Sequence, residues 1–237
     1  MSDLFGSVPE TPDFFHIFIL LDASSRMSGV RIDMVNEAMR KVLPAIIAAA
    51  DKRELSVLAH ILAYDEKVRW LCGTSATEYR YFEDPSWTDI TAAGEANVAE
   101  AYESIVEAFC CRFMGIHGYA PIILHVTSGA DHDPAATRKA LHHLDWGYQS
   151  MRIAVDLSGG CTPEMEAFVF PKDLAPGYNP TICEGQFISV TDAHDLPGVI
   201  HSAVMSAIDN LIQVTKPQDD KLVYLMRLNA GIPESLI

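Results

Sequence analysis

Phe15-His16-Ile17-Phe18-Ile19-Leu20-Leu21-Asp22-Ala23-Ser24-Ser25-Arg26-Met27-Ser28-Gly29 is the stretch whose reading decides the fold. The unbroken apolar run Ile17–Leu21 leaves no face for water, so it predicts a central strand covered by helices on both sides. The run ends on Asp22, two serines follow, and an amphipathic helix is expected from about Met27. In open α/β sheets ligands bind outside the carboxyl ends of the strands. Asp22 and Ser24 therefore place side-chain oxygens in that crevice.

Outward from this stretch the chain alternates strand and helix signals. Val30, Met34, Val35, Ala38, Met39, Val42, Leu43, Ile46 and Ile47 recur at helical spacing, with Arg31, Asp33, Asn36, Glu37, Arg40 and Lys41 on the opposite face. Pro44 is expected to kink or interrupt that helix, at a cost of roughly 3 kcal/mol if it is interior. Leu55–Ala63 and Lys67–Cys72 read as a strand pair around Tyr64-Asp65-Glu66. A helix is expected from Asn97 to about Met114, a buried strand over Pro121–Thr127 and a third helix ending near Gly147. Met151–Leu157 and Gly185–Val190 follow as strands, with a short helix near Pro163–Phe168 between them and a last helix over Asp195–Val214. The fold class is α/β: a doubly wound, mostly parallel central sheet with helices on both faces. The expected organisation is a flexible arm over 1–13, one domain over 14–214, and a tail over 215–237 that packs on the domain and carries a strand at Lys221–Leu228.

Of the 237 residues 49% are apolar, enough for a large core. The net charge of −15 argues against nucleic-acid and anionic-membrane partners, which require a basic face. Basic protein partners or cations suit it better. Cys72, Cys110, Cys111, Cys161 and Cys183 show no metal-ligand spacing and read as reduced, buried thiols. No signal peptide and no apolar run of membrane-spanning length is visible, so a cytoplasmic location is expected.

The loop Asp22-Ala23-Ser24-Ser25-Arg26-Met27-Ser28-Gly29 resembles the first loop of von Willebrand factor A (vWA) domains, in particular the small bacterial proteins of tellurium-resistance, TerY-like type. That loop reads Asp-x-Ser-x-Ser in the family, usually followed by Met-x-Gly. With a Thr and an Asp from two later loops it holds Mg²⁺ in a metal-ion-dependent adhesion site. The resemblance covers roughly residues 14 to 214 and implies a protein-binding role in a bacterial stress-response setting. Asp22, Ser24, Met27 and Gly29 match, but the second serine position is Arg26. The Gly-Gly-Thr loop corresponds to Gly94-Glu95-Ala96-Asn97, which puts Ala96 at the threonine position. Thr127-Ser128-Gly129 corresponds to Thr-Asp-Gly, which puts Ser128 at the aspartate position.

These departures point one way. Mg²⁺ needs near-octahedral oxygen ligands and anionic charge to offset its dehydration. Asp22, Ser24 and Ser128 remain as a metal set, Ala96 offers no oxygen, and Arg26 adds a cation. The expectation is a degenerate, empty metal site and no cofactor, with Mg²⁺ binding completed by a partner's carboxylate as the alternative. Arg26 is expected to turn inward and fork onto Asp22; backbone N–H groups at the start of the first helix would do the same work. The partner-binding surface is expected to comprise Asp22, Ser24, Ser25, Arg26, Ala96, Asn97, Ser128 and Asp131.

Asp131-His132-Asp133 offers a displaced cation site, set against Asp133 as N-cap of a helix opening at Pro134, with His132 an exposed loop residue. Of His142 and His143, one is expected half-buried and one solvated. The motifs of dinucleotide-binding, P-loop and nucleophile-elbow enzymes are missing. Asp22-Ala23-Ser24 is similar to the Asp-x-Asp loop of haloacid-dehalogenase phosphatases but lacks the second carboxylate. The expected function is a non-catalytic protein-interaction module, and a hydrolase using Asp22 is the second alternative.

Overall fold

The computed structural model describes residues 14–72, 87–110, 119–147, 149–183 and 185–214. Six strands form one sheet: β1 (Phe14–Asp22), β2 (Ser56–Tyr64), β3 (Val68–Cys72), β4 (Ile122–Thr127), β5 (Met151–Asp156) and β6 (Gln186–Ser189). Their order is β3-β2-β1-β4-β5-β6, and only the β2–β3 pair is antiparallel. The helices are α1 (Val30–Asp51), α2 (Val98–Cys110), α3 (Pro134–Gly147), α4 (Pro163–Val169), α5 (Pro180–Cys183) and α6 (Leu196–Val214).

Strand alternation divides the core into two layers. Ile17, Ile19 and Leu21 of β1 face one way, packing with Val35, Met39 and Val42 of α1 and Ile200, Val204 and Ile208 of α6. Phe18 and Leu20 face the other way, onto Tyr102, Ile105 and Phe109 of α2 and Leu141 and Leu144 of α3. Both layers are apolar because both faces of the sheet are covered, and this is why the β1 and β4 sequences read as continuous hydrophobic runs.

Several details depart from the sequence reading. Ser25–Met27 is a 3-10 turn, and α1 starts only at Val30, after a chain reversal in which Gly29 takes φ 78°. That left-handed backbone suits glycine, and the reversal leaves Val30 72% exposed instead of in the core. Asn36, expected on the polar face, is buried. Pro44 lies inside a helix that continues through it. Cys161 is exposed, whereas Cys183 is buried as expected. The arm over 1–13, the tail over 215–237 with Lys221–Leu228, and the stretch 111–114 lie outside the described residues.

The approach to β6 depends on one small residue. Gly185 donates its N–H to Val169 O, and a Cβ at this position would lie 2.4 Å from Arg152 O and 2.5 Å from Val169 O. Both are backbone atoms that cannot rotate away. Gly185→Ala is expected to cost about 2 kcal/mol in urea denaturation, within the range for overpacked sites; an unchanged midpoint would contradict this packing.

Candidate functional site

Four loops meet at the carboxyl ends of β1, β4 and β5, and backbone hydrogen bonds knit them together. Ser25 N donates to Gly94 O (2.9 Å), Ala93 N to Ala23 O (2.8 Å) and His132 N to Ala96 O (2.8 Å). The sequence-predicted residues Asp22, Ser24, Ser25, Arg26, Ala96, Asn97, Ser128 and Asp131 all belong to these loops. Two residues outside that set fasten the assembly. Asn36, on α1, accepts from Ile90 N, donates to Ile90 O and accepts from Trp87 Nε1, at 2.9 to 3.1 Å. Arg31 donates from Nε to Leu157 O (3.1 Å) and from Nη1 to Arg26 O (2.9 Å), spanning the first and last loops. Periodicity alone places both on a solvated face, so neither carried a sequence signal.

Asp22 is fully buried at the end of β1. A buried carboxylate is costly unless it is hydrogen-bonded, and this one is well supplied. Oδ1 accepts from Ser24 N at 2.9 Å. Oδ2 accepts from Ser128 Oγ at 2.6 Å, from Ser128 N at 3.0 Å, and more distantly from Thr127 Oγ1 at 3.4 Å. Arg26 takes no part. It is exposed and forms no ion pair with Asp22, so the expected inward fork is corrected. The physical reason is that the serine and two backbone N–H groups already satisfy both carboxylate oxygens. Those N–H groups come from the Asp22 turn itself and from the loop after β4, not from the start of α1.

Ser128 thus spends its hydroxyl on Asp22. Ala96 is buried and contributes only its carbonyl, to His132 N. Asn97 caps α2, its Oδ1 accepting from Glu100 N at 3.3 Å. Ser25 is exposed. The Ser24 hydroxyl is buried and has no partner among the described residues.

Asp131 is half-buried, and burial raises its carboxyl above the usual range while the Asp133 N–H, donating to Oδ1 at 3.1 Å, opposes the shift. Asp133 caps α3, accepting from Ala135 N and Ala136 N at 3.1 and 3.0 Å. His132 is an exposed loop residue paired with Glu95 at 2.5 Å. His143 is half-buried against Glu103 at 2.7 Å, and His142 is exposed. Among the described residues no group of three or more His, Cys, Asp or Glu side chains is placed to hold a metal ion.

A second wrapped carboxylate lies across β4 from the first. Asp156, at the end of β5, accepts from Ser158 N and Oγ and from Gly159 N and Gly160 N, at 2.7 to 2.9 Å. Asp156-Leu157-Ser158 repeats the Asp-x-Ser spacing of Asp22-Ala23-Ser24 after another buried strand. That repetition is the signal from which it was legible.

Behind Asp22 runs a buried polar chain. Tyr102 OH lies 3.0 Å from His125 Nδ1, Tyr64 OH lies 2.7 Å from His125 Nε2, and Tyr64 OH lies 3.5 Å from Thr127 Oγ1. Burial holds the His125 imidazole down at about 4 although nearby Asp22 opposes the shift, so the ring is neutral at pH 7. A neutral ring donates from one nitrogen only. If Nδ1 carried the proton, the buried Tyr102 hydroxyl would find no acceptor on the ring. With the proton on Nε2, Tyr102 donates to Nδ1, Nε2–H donates to Tyr64, and Tyr64 and Thr127 pass their protons towards Asp22. Every donor then has an acceptor. The ¹⁵N shifts of His125 are expected to report the Nε2–H tautomer, and Tyr64→Phe, which removes the Nε2 acceptor, is expected to switch it. An Nδ1–H ring in the parent protein would reverse the direction of the chain.

No protein-family model and no curated protein matches the sequence. The architecture does have solved counterparts. A von Willebrand factor type A protein from Catenulispora acidiphila superposes with TM-score 0.58 at 15% identity, over 83% of this chain and 42% of that one. The PilB minor pilin of Streptococcus sanguinis, as its D319A mutant, gives 0.57 at 8% identity, over 89% and 65%. The SpRpn10 VWA domain gives 0.54 at 11% identity, over 80% and 94%. The chain thus spans less than two thirds of the first two structures, and at these identities the likeness concerns the fold. The fold is that of a vWA domain.

Proposed function

We propose that this vWA-type domain is a non-catalytic protein-interaction module whose metal site has degenerated. The observation that carries this reading is the 2.6 Å hydrogen bond from Ser128 Oγ to Asp22 Oδ2. At the position where the resembled family supplies a second carboxylate, this chain supplies a donor, and the donor is bonded to the first carboxylate.

The donor set does not fit Mg²⁺. Of the positions the family uses, only Asp22 is anionic, and its oxygens accept from Ser24 N, Ser128 N and Ser128 Oγ. Ala96 has no side-chain oxygen, and Mg²⁺ requires several hard oxygen ligands in near-octahedral array. The burial and full hydrogen bonding of Asp22 also argue against its use as a nucleophile, because a reacting carboxylate must be reached by its substrate. The bacterial stress-response or tellurium-resistance setting we propose rests on the resemblance of Asp22–Gly29 alone, and the cytoplasmic location we propose with it rests on the sequence expectation. Among the described residues no helix is long and apolar enough to cross a membrane.

A second reading, Mg²⁺-dependent ligand binding, is favoured by one observation: the buried, unpartnered Ser24 hydroxyl. Chelation separates the two. Photo-crosslinking of the full chain to its protein partners is expected to proceed equally in EDTA and in millimolar Mg²⁺. Crosslinks that vanish on chelation would establish the metal-dependent reading instead.

A further inference from the structure

The first loop of the site and the first turn of α1 carry two guanidinium groups without a carboxylate, Arg26 and Arg31. Among the described residues Arg40, Arg53, Arg69, Arg138 and Arg152 each pair with an Asp or Glu. Arg31 is spent on two carbonyls, Leu157 O and Arg26 O, which leave its charge uncompensated. Arg26 has no acceptor among the described residues, and exposed Asp33 in the first turn of α1 pairs with neither arginine. Of the two, only Arg26 has a guanidinium free of any bond among the described residues, and it stands on a chain of net charge −15.

The backbone that presents Arg26 is fixed from both sides. Arg26 O accepts from Arg31 Nη1 at 2.9 Å, Met27 beside it is fully buried, and Ser25 N is bonded to Gly94 O. A rigid presentation lowers the ordering cost of binding. Val30, which precedes Arg31 at the start of α1, is the most exposed of the large apolar side chains described, at 72%. The N-terminus of the 22-residue α1 adds its own partial positive charge at the same place.

We infer that Arg26, Arg31 and Val30 form a docking surface for a carboxylate side chain flanked by an apolar residue on a partner protein. The guanidinium of Arg26 forks onto the carboxylate, Arg31 supports it electrostatically, and Val30 covers the apolar neighbour. The inference rests on the interaction-module reading and names the chemistry of the partner's contact. It assigns recognition to a fixed side-chain cation, with the buried carboxylate of Asp22 serving to shape the loop.

The test uses the full chain and the probe acetyl-Leu-Glu-Leu-amide, with acetyl-Leu-Gln-Leu-amide as the uncharged counterpart and inorganic phosphate as the rival anion. In NMR titrations the glutamyl peptide is expected to move Arg26 Nε–H and the Val30 amide, saturating in the millimolar range. Arg26→Glu is expected to weaken this binding at least tenfold with an unchanged melting temperature, because the side chain is exposed and unbonded. Equal shifts with the glutaminyl peptide, full binding by Arg26→Glu, or tighter binding of phosphate than of the glutamyl peptide would each overturn the inference. The photo-crosslinking experiment keeps it distinct from the broader reading. Partners captured equally by the parent and by Arg26→Glu overturn this surface and leave the module standing. Peptide binding without any partner captured supports the surface and removes the module.

Discussion

Acidifying the protein from pH 7.5 to pH 4 is expected to remove most of its folding free energy. Three histidines lie within the apolar layers of the sheet. Burial lowers His125 to about 4 and His60 to about 4. His16 falls to about 3, through burial first and the neighbouring His60 second. His16 Nδ1 and His60 Nε2 lie 3.1 Å apart, so protonating both rings abolishes the hydrogen bond they share. In the unfolded chain each imidazole titrates near 6.5. Because the folded values are depressed, the unfolded state binds protons first as the pH falls. The stabilisation is complete above pH 6.5 and is lost progressively down to pH 4 and below. His125 alone accounts for about 3 kcal/mol, and the His16–His60 pair for at least as much again, on the linkage of about 1.4 kcal/mol per pH unit per group. The total approaches the whole stability of an ordinary domain. Urea denaturation at half-unit intervals of pH measures it directly, and a free energy that stays flat between pH 6.5 and pH 4.5 would contradict the buried, neutral imidazoles.

Asp22→Ala is expected to destabilise the protein by about 4 kcal/mol. The substitution leaves Ser24 N, Ser128 N and the Ser128 hydroxyl facing a cavity, and each unsatisfied buried polar group costs about 1–3 kcal/mol. Asp22→Asn keeps the volume but turns an amide donor toward donors, so it is expected to recover only part of the loss. Urea midpoints of the two variants decide the matter. A loss below about 1 kcal/mol for the alanine variant would mean that the hydrogen bonds around Asp22 contribute little. In the resembled vWA site the same carboxylate serves a metal. Here its removal should register as stability, whether or not a divalent ion is present.

The placement of Asp22 and Ser128 was legible in the sequence because it follows from burial and topology. The continuous apolar runs of β1 and β4 require a doubly covered sheet, and such a sheet places Asp22 and Ser128 at adjacent strand ends. Asp133 was equally legible as the cap of α3, since an Asp followed by Pro has one strong local meaning. The contacts made by the side chains were not. Arg26 follows a carboxylate by four residues, and proximity in sequence suggests a pair, but the 3-10 turn at Ser25–Met27 carries it outward. Asn36 and Arg31 lie on what reads as the wet face of α1, and the loops that cover that face come from distant parts of the chain. His125 sits within an apolar strand, and its two tyrosine partners arrive from β2 and α2. Long-range polar contacts of this kind leave no periodic trace.

The measurement that bears most directly on the proposed loss of metal binding is calorimetric titration of the full chain with Mg²⁺ and Mn²⁺, beside the combined variant Arg26→Ser, Ala96→Thr, Ser128→Asp. The parent is expected to show no binding heat at millimolar ion and no rise in melting temperature, since stabilisation by a ligand appears only when its concentration exceeds the dissociation constant. The combined variant, with a second carboxylate and the missing hydroxyls restored, is expected to bind. Saturable Mg²⁺ binding by the parent that Asp22→Asn abolishes would contradict the account.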